Sequence, residues 1–263
     1  MASASTFKLR SVSLVTRSID RILPFYRDTL GLVARRPDAR TLTLHFSANG
    51  PVVITFTEDP AALEPMERVA GLFHIALLVP DRPTLAAVLA RLVEHHQSLE
   101  GLSDHGVSEA LYLADPDGNG LEIYRDRPRA EWPVAGNKVA MFTRALDPRG
   151  LLRDLPQPPS AAPLAQASLG HVHLQVSELE AAKNFYTGEL GLAIRQDDYP
   201  DAVFLAADGY HHHVAINTWG RPGPRPNVPV TGLVGFGAAT SGVKAPRQLN
   251  DPDGNQVTLE PLR

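Results

Sequence analysis

Two stretches of this 263-residue chain repeat each other and differ at one chemically telling position. Residues 9–32 read LRSVSLVTRSIDRILPFYRDTLGL and residues 169–192 read LGHVHLQVSELEAAKNFYTGELGL, aligned without a gap. Where the first copy has Ser11, the second has His171. A further match sets GLFHI at 71–75 beside GLVGF at 232–236, so that His74 occupies the strand position held by His171 in its own repeat, and Gly235 the same position in the last. The chain has ten histidines and no cysteine, which removes thiolates and leaves nitrogen and oxygen donors for any metal. A third cluster, His211-His212-His213, lies just before a run that reads as a strand at 214–219. Alternation along a strand would turn His212 away from both neighbours.

These residues need elements to hold them. The motif DPDGN occurs at 115–119 and again at 251–255. It combines a φ-fixing Pro, a Gly free to take φ > 0, and Asp and Asn side chains that bond back to the local backbone. Alternating apolar runs flank both copies, so each reads as a strand–turn–strand hairpin. Four modules follow, each ideally a strand, a helix and three more strands. The first spans about 7–59, with a strand at 9–16, a helix at 18–30 capped by Ser18 and closed by Gly31, and strands at 41–46 and 52–57. The second spans about 71–128, with a strand at 72–79, a helix at 82–96 and the first DPDGN hairpin. The third, at about 169–219, repeats the first. The fourth, at about 232–263, lacks its helix. The expected fold class is α+β: four βαβββ-type modules forming two cup-shaped half-barrels, the fourth truncated. The corresponding organisation is a first domain at 7–128, a Pro/Ala-rich linker at 129–168 with a short helix at 148–155, and a second domain at 169–263.

Bulk properties narrow the function. A net charge of −4 and the absence of any Lys/Arg run give no general attraction to nucleic acid or anionic membrane. The N-terminal residues MASAST lack the parts of a signal peptide, and no apolar stretch approaches a bilayer-spanning length. Without cysteines, the expectation is a cytoplasmic protein.

Strand–helix–strand modules with FY…LGL after the first strand and DPDGN before the last resemble the vicinal oxygen chelate superfamily, which includes glyoxalase I, extradiol dioxygenases, and fosfomycin and bleomycin resistance proteins. Within it, GHVHL at 170–174, GYHHH at 209–213, DHGVSEALY at 104–112 and DPDGNGLE at 115–122 are most similar to the catechol 2,3-dioxygenase branch. The resemblance implies ligands on the first and last strands of a module. The first-strand positions hold Ser11, His74, His171 and Gly235. The last-strand position holds Glu122 in module two and Thr258 in module four, with Glu260 two residues further on. The implied metal ligands are therefore His74, Glu122 and His171, with His173 the alternative ligand if the register shifts by two. Modules two and three should then face one metal while modules one and four form an empty cup, a departure from the usual family arrangement. If modules instead pair in sequence order, the triad would have to assemble across a homodimer.

Two imidazoles and one carboxylate on one face of an ion leave the other face open, the arrangement of non-haem Fe(II) oxygenases. The resemblance therefore implies a metal-dependent extradiol dioxygenase (Fe(II) favoured; Mn, Zn, Ni or Co accommodated) acting on a catechol-like aromatic diol and O2. It also implies that His212 is the acid–base residue, that Tyr112 bonds the substrate oxygen, and that His105 is a further donor around the site. Two alternatives remain on the same scaffold. A glyoxalase-type lyase or isomerase usually wants a fourth protein ligand, for which module three offers only Asn217 or a neighbour. The other is a non-enzymatic binding or resistance protein.

Overall fold

The computed structural model describes residues 6–64, 68–136, 138–158, 160, 162–226 and 228–262. The start of the MASAST segment and single positions in the two Pro-rich stretches lie outside the described residues. Module one comprises β1 (Phe7–Thr16), α1 (Ile19–Pro24), a π-helical turn (Phe25–Thr29), β2 (Val33–Asp38), β3 (Thr41–His45) and β4 (Ile54–Glu58). Module two comprises β5 (Gly71–Val79), α2 (Arg82–Glu94), β6 (Gly101–Asp104), β7 (Ser108–Ala114) and β8 (Gly120–Asp126). The connecting stretch carries short strands β9 (Val134–Ala135), β10 (Lys138–Val139) and β11 (Arg144–Ala145), then α3 (Pro148–Leu152). Module three comprises β12 (Ser168–Gln175), α4 (Leu179–Gly188), β13 (Ala193–Gln196), β14 (Ala202–Ala206) and β15 (Val214–Asn217). Module four has β16 (Gly232–Thr240), β17 (Arg247–Asn250) and β18 (Gln256–Pro261), and the segment between its first two strands contains no helix.

Apart from the short β9–β10 pair, the strands form two large mixed sheets, each drawn from both halves of the sequence. One runs β17-β18-β16-β1-β4-β3-β2 and unites modules one and four. The other runs β11-β6-β7-β8-β5-β12-β15-β14-β13 and unites modules two and three. The seam of the second sheet is the antiparallel pairing of β5 with β12, which sets His74 opposite His173 and Ala76 opposite His171.

Two local features depart from the simplest reading of the sequence. The helix expected at 18–30 changes character at Pro24, which has no N–H to continue the ladder. From there Leu30 N–H bonds back to Phe25 C=O, five residues earlier, at 2.9 Å. Ser18 occupies the N-cap position, but its side chain caps nothing; Glu58 Oε2 accepts from Ile19 N–H at 2.7 Å instead. A carboxylate so placed also favours the positive end of the helix.

The DPDGN turns and the FY dipeptides prove to be partners. Asp115 Oδ1 accepts from Asp117 N–H and Asn119 N–H, both at 2.9 Å, and its Oδ2 accepts from Tyr26 Oη at 2.8 Å. The second copy repeats this, with Tyr186 Oη donating to Asp251 Oδ2 at 2.7 Å. Tyr26 belongs to the helical turn over the first sheet and Asp115 to a turn of the second; Tyr186 and Asp251 cross in the opposite sense. Each tyrosine is fully buried, so each is a polar clamp between sheets. Tyr26→Phe or Tyr186→Phe removes one of two donors to a buried carboxylate oxygen, leaving Asn119 Nδ2 or Asn255 Nδ2, and is expected to lower stability by about 1.5–3 kcal/mol, the range for a hydrogen bond to a charged group. The check is the midpoint of urea unfolding at unchanged slope.

Candidate metal centre and its cavity

The register of the second sheet builds a row across four strands. Tyr112 on β7 faces Glu122 on β8, Glu122 stands beside Ala76 on β5, and Ala76 faces His171 on β12. His74 lies two residues before Ala76 and so shares its face. Adjacent strands are about 4.8 Å apart, so Glu122 and His171 must reach toward each other over Ala76. The small methyl group at that position leaves them room. Gly170, just before His171, is likewise required: a side chain there would collide with the Tyr124 hydroxyl.

His74 Nε2 lies 2.9 Å from Glu122 Oε2, His171 Nε2 lies 3.0 Å from the same oxygen, and the two Nε2 atoms are 3.3 Å apart. Donors bound at about 2.1 Å stand about 3.0 Å apart in adjacent octahedral positions, against about 3.4 Å in a tetrahedron. Two edges of the triangle match the octahedral spacing and the third lies near the tetrahedral one, so the three atoms are close enough to share one ion. Among the described residues this is the one group of three His, Cys, Asp or Glu side chains able to share an ion, and it lies within one chain, so no second copy is needed to complete it.

The electrostatics suit cation binding. Burial lowers His171 from 6.5 to about 4, and it holds His173 and His212 well below the usual imidazole value, with the neighbouring His rings adding to the effect. Burial pushes Glu122 upward, but the charge and hydrogen bonds of His171 and His74 more than offset that, leaving it well below the usual carboxylate range. At neutral pH the site therefore offers a neutral His171 nitrogen and an ionised carboxylate. His171 Nδ1 is buried with no hydrogen-bond partner among the described residues, so Nε2 is the nitrogen directed at the triangle.

A cavity of about 320 Å3 opens on the triad, within the range of small-molecule sites. Phe73, Phe204 and Trp219 supply flat apolar walls, while Tyr112, His105 and His212 supply polar groups. His105 Nε2 lies 2.8 Å from Tyr112 Oη, and His105 Nδ1 lies 2.9 Å from Phe142 C=O, so the imidazole spans from the phenol to the connecting stretch. Burial foremost, and then the charge of Glu122, hold the Tyr112 phenol well above its usual pKa, so it stays protonated. Of the three consecutive histidines, His212 lines the cavity, with its ring centroid 4.0 Å from that of His171. His211 is wholly buried behind it, and His213 Nδ1 accepts from Ala207 N–H at 3.2 Å. The strand alternation expected at 211–213 does not apply, because β15 begins only at Val214. His211 and His212 instead turn toward each other.

His173 is not part of the triangle. Its Nε2 lies 2.9 Å from Asn217 Nδ2, which occupies both side chains and leaves Asn217 no role as a fourth ligand. The cup formed by modules one and four contains a smaller cavity of about 160 Å3 lined by Ser11, Gly235, Thr258 and Glu260, with no histidine.

The stretch 129–168, expected as a connecting linker, supplies a cavity wall that the sequence did not announce. β11 pairs with β6 at the sheet edge, and Met141, Phe142 and Thr143 line the cavity. Gln196 fastens this strap, its Oε1 accepting from Met141 N–H at 3.1 Å and its Nε2 donating to Met141 C=O at 3.3 Å. Thr143 Oγ1 lies 3.2 Å from Tyr199 Oη.

A model of the Glyoxalase/Bleomycin resistance protein/Dioxygenase superfamily matches residues 8–123 and 168–243. A protein named catechol-2,3-dioxygenase from Bacillus subtilis (strain 168) is 43% identical over 227 residues, covering 84% of this chain and 78% of its own. Among solved structures, one from Bacillus subtilis strain 168 superposes with a TM-score of 0.61 at 12% identity, covering 98% of this chain and 86% of its own. Glyoxalase I from Zea mays gives a TM-score of 0.56 at 15% identity, covering 98% and 93%. These two structures share the fold.

The chain is expected to bind one divalent ion. At about a hundred times its dissociation constant, that ion should raise stability by about 2.7 kcal/mol. Glu122→Ala, His171→Ala and Ala76→Leu should each remove the thermal shift and lower the metal content at least tenfold. Elemental analysis beside melting curves with and without metal reads both.

Proposed function

The chain belongs to the Glyoxalase/Bleomycin resistance protein/Dioxygenase superfamily, and from that premise we propose that it is a metal-dependent extradiol dioxygenase, cleaving a catechol-like aromatic diol with O2. The observation that carries this reading is the close triangle of His74, Glu122 and His171 opening onto an aromatic-walled cavity. His74, Glu122 and His171 would hold the ion and, as two imidazoles and one carboxylate, would leave it room for a diol and O2; the ion, with Fe(II) favoured, would supply the redox chemistry. The 43% identical relative named catechol-2,3-dioxygenase supports the same reaction class.

The remaining work falls to this chain's own groups. Phe73, Phe204 and Trp219 enclose a flat ring. The strap through Met141 and Phe142 closes one side against water. His212, held neutral by burial, takes a proton from a diol hydroxyl and later returns one as the ring opens. With its N–H on Nδ1 donating to Phe142 C=O, His105 accepts the Tyr112 hydroxyl hydrogen at Nε2, and Tyr112, kept protonated, turns that hydrogen to a substrate oxygen when the diol enters. The ring then opens beside the two hydroxyls to a hydroxymuconic semialdehyde type of product. Asn217 is engaged with His173, so the fourth protein ligand that would favour a glyoxalase-type reaction is not supplied from that position.

The test is anaerobic reconstitution with Fe(II), followed by catechol and air. One O2 consumed per diol, with a yellow ring-opened product, is expected; metal uptake with no O2 consumption on a panel of catechols would overturn the reading. His212→Ala should lower kcat by about 10²–10⁴-fold while leaving metal content unchanged.

A further inference from the structure

Behind His212 lies a chain of hydrogen-bonding groups that the reaction above does not use. His211 Nδ1 is 2.7 Å from His212 Nδ1, and His211 Nε2 is 2.9 Å from Asp126 Oδ1. Asp126 also accepts from Tyr210 Oη, at 3.0 Å to Oδ2, and Tyr210 Oη is 2.8 Å from Tyr124 Oη. The rings of Tyr210 and Trp132 enclose His211, with centroids 4.0 and 5.3 Å away. Its surroundings therefore hold it in one orientation.

The donor and acceptor roles along this chain follow from one fact: a carboxylate only accepts. Asp126 thus places the His211 proton on Nε2. With that one N–H on the ring, His211 Nδ1 is bare and accepts. At 2.7 Å its only donor is His212 Nδ1, which therefore carries the His212 proton. His212 Nε2 is then left with its lone pair, on a ring that lines the cavity. Without this arrangement the side chain would favour the Nε2–H form common to free histidine and would present a donor where an acceptor is needed.

We propose that Asp126 and His211 are positioning residues that fix His212 in the Nδ1–H tautomer, with the Nε2 lone pair facing the cavity. Neither touches substrate; each acts through His212. The assignment of His212 as proton acceptor rests on the dioxygenase reading, whereas the tautomer rests on the hydrogen-bond geometry with one N–H on each ring. The same pattern of roles, carboxylate to ring nitrogen to the opposite nitrogen, is how metal-binding and catalytic histidines are oriented elsewhere.

Two-bond ¹H–¹⁵N correlation spectra of the full-length chain loaded with Zn(II), which is diamagnetic, report the protonated nitrogen of each ring. His211→Gln and His212→Gln spectra assign the signals. The expected wild-type result is His211 protonated at Nε2 and His212 protonated at Nδ1. In Asp126→Ala and in His211→Phe, His212 should shift to a mixture rich in the Nε2–H form, at unchanged zinc content. A wild-type His212 protonated at Nε2, or a doubly protonated His211, overturns the proposal, as does an unaltered His212 signal in both variants. The wild-type spectrum alone decides if the variants do not fold. Because no turnover is measured, a fixed tautomer in a chain that cleaves no diol would overturn the reaction and leave the positioning role standing.

Discussion

The antiparallel seam between β5 and β12 is the constraint on which the candidate site depends. It joins a strand from each half of the chain and sets Ala76 opposite His171 and His74 opposite His173. Side chains alternate faces along a strand, so a slip of one residue at this seam would turn His171 away from Glu122 and bring Val172 to the cavity. Two irregularities in the seam, between Leu169 and His171 and between His173 and Leu174, mark where the pairing is adjusted around the histidine strand. The parallel pairing of β5 with β8 then carries the same row on to Glu122. Three donors separated by 48 and 49 residues in sequence are thus aligned by backbone hydrogen bonds alone, and the small side chain of Ala76 lets them meet.

The duplicated architecture explains why so much framework surrounds one small centre. The first sheet repeats the form of the second, but Ser11, Gly235 and Thr258 stand where the second has His171, His74 and Glu122, and its cavity has about half the volume, 160 against 320 Å3. That sheet still acts on the site through the fold. The Tyr26–Asp115 clamp reaches from the helical turn over the first sheet to the hairpin whose second strand carries Glu122. The Tyr186–Asp251 clamp ties the helix over the second sheet to the last hairpin of the first. Because the clamps cross in both directions, the two sheets brace each other.

The parts of this arrangement that were legible in sequence are those that repeat. His74 and His171 stood out because the module repeat placed both on first strands, and the hairpins because DPDGN carries its own turn chemistry. The absent helix of module four could be read from its length. What was not legible depends on contacts between residues distant in sequence and without periodicity. Phe142 and Thr143 lie in a stretch whose composition suggests only a connector, and nothing local indicates that Gln196, 55 residues from Met141, fastens it over the cavity. Asp126 and His211 are separated by 85 residues, so their pairing appears only once β8 and the turn before β15 share a sheet. The orientation of His212 was read from strand alternation, which fails because the three histidines precede the strand. The FY dipeptides stood out as a repeat, but their hydroxyl bonds to DPDGN were invisible because the partners lie in different modules.

Two glutamates in the second sheet show why the triad calls for a cation. Glu109 and Glu122 are equally buried, each 3% exposed. Glu109 is met by three guanidinium groups, with Arg82 and Arg125 each at 2.8 Å and Arg127 at 3.0 Å, so its charge is matched within the protein. Glu122 is met by two imidazoles, and burial leaves the His171 ring without charge at neutral pH. An ionised carboxylate in such surroundings is expensive to bury without a positive partner. A divalent ion at the triangle supplies the charge that arginine supplies to Glu109, while turning both Nε2 lone pairs to use. A protonated His171 could also neutralise Glu122, but its burial opposes that. The low exposure and crowded rings that line the cavity are therefore the same features that keep the His171 nitrogen neutral and leave the carboxylate to be balanced by metal.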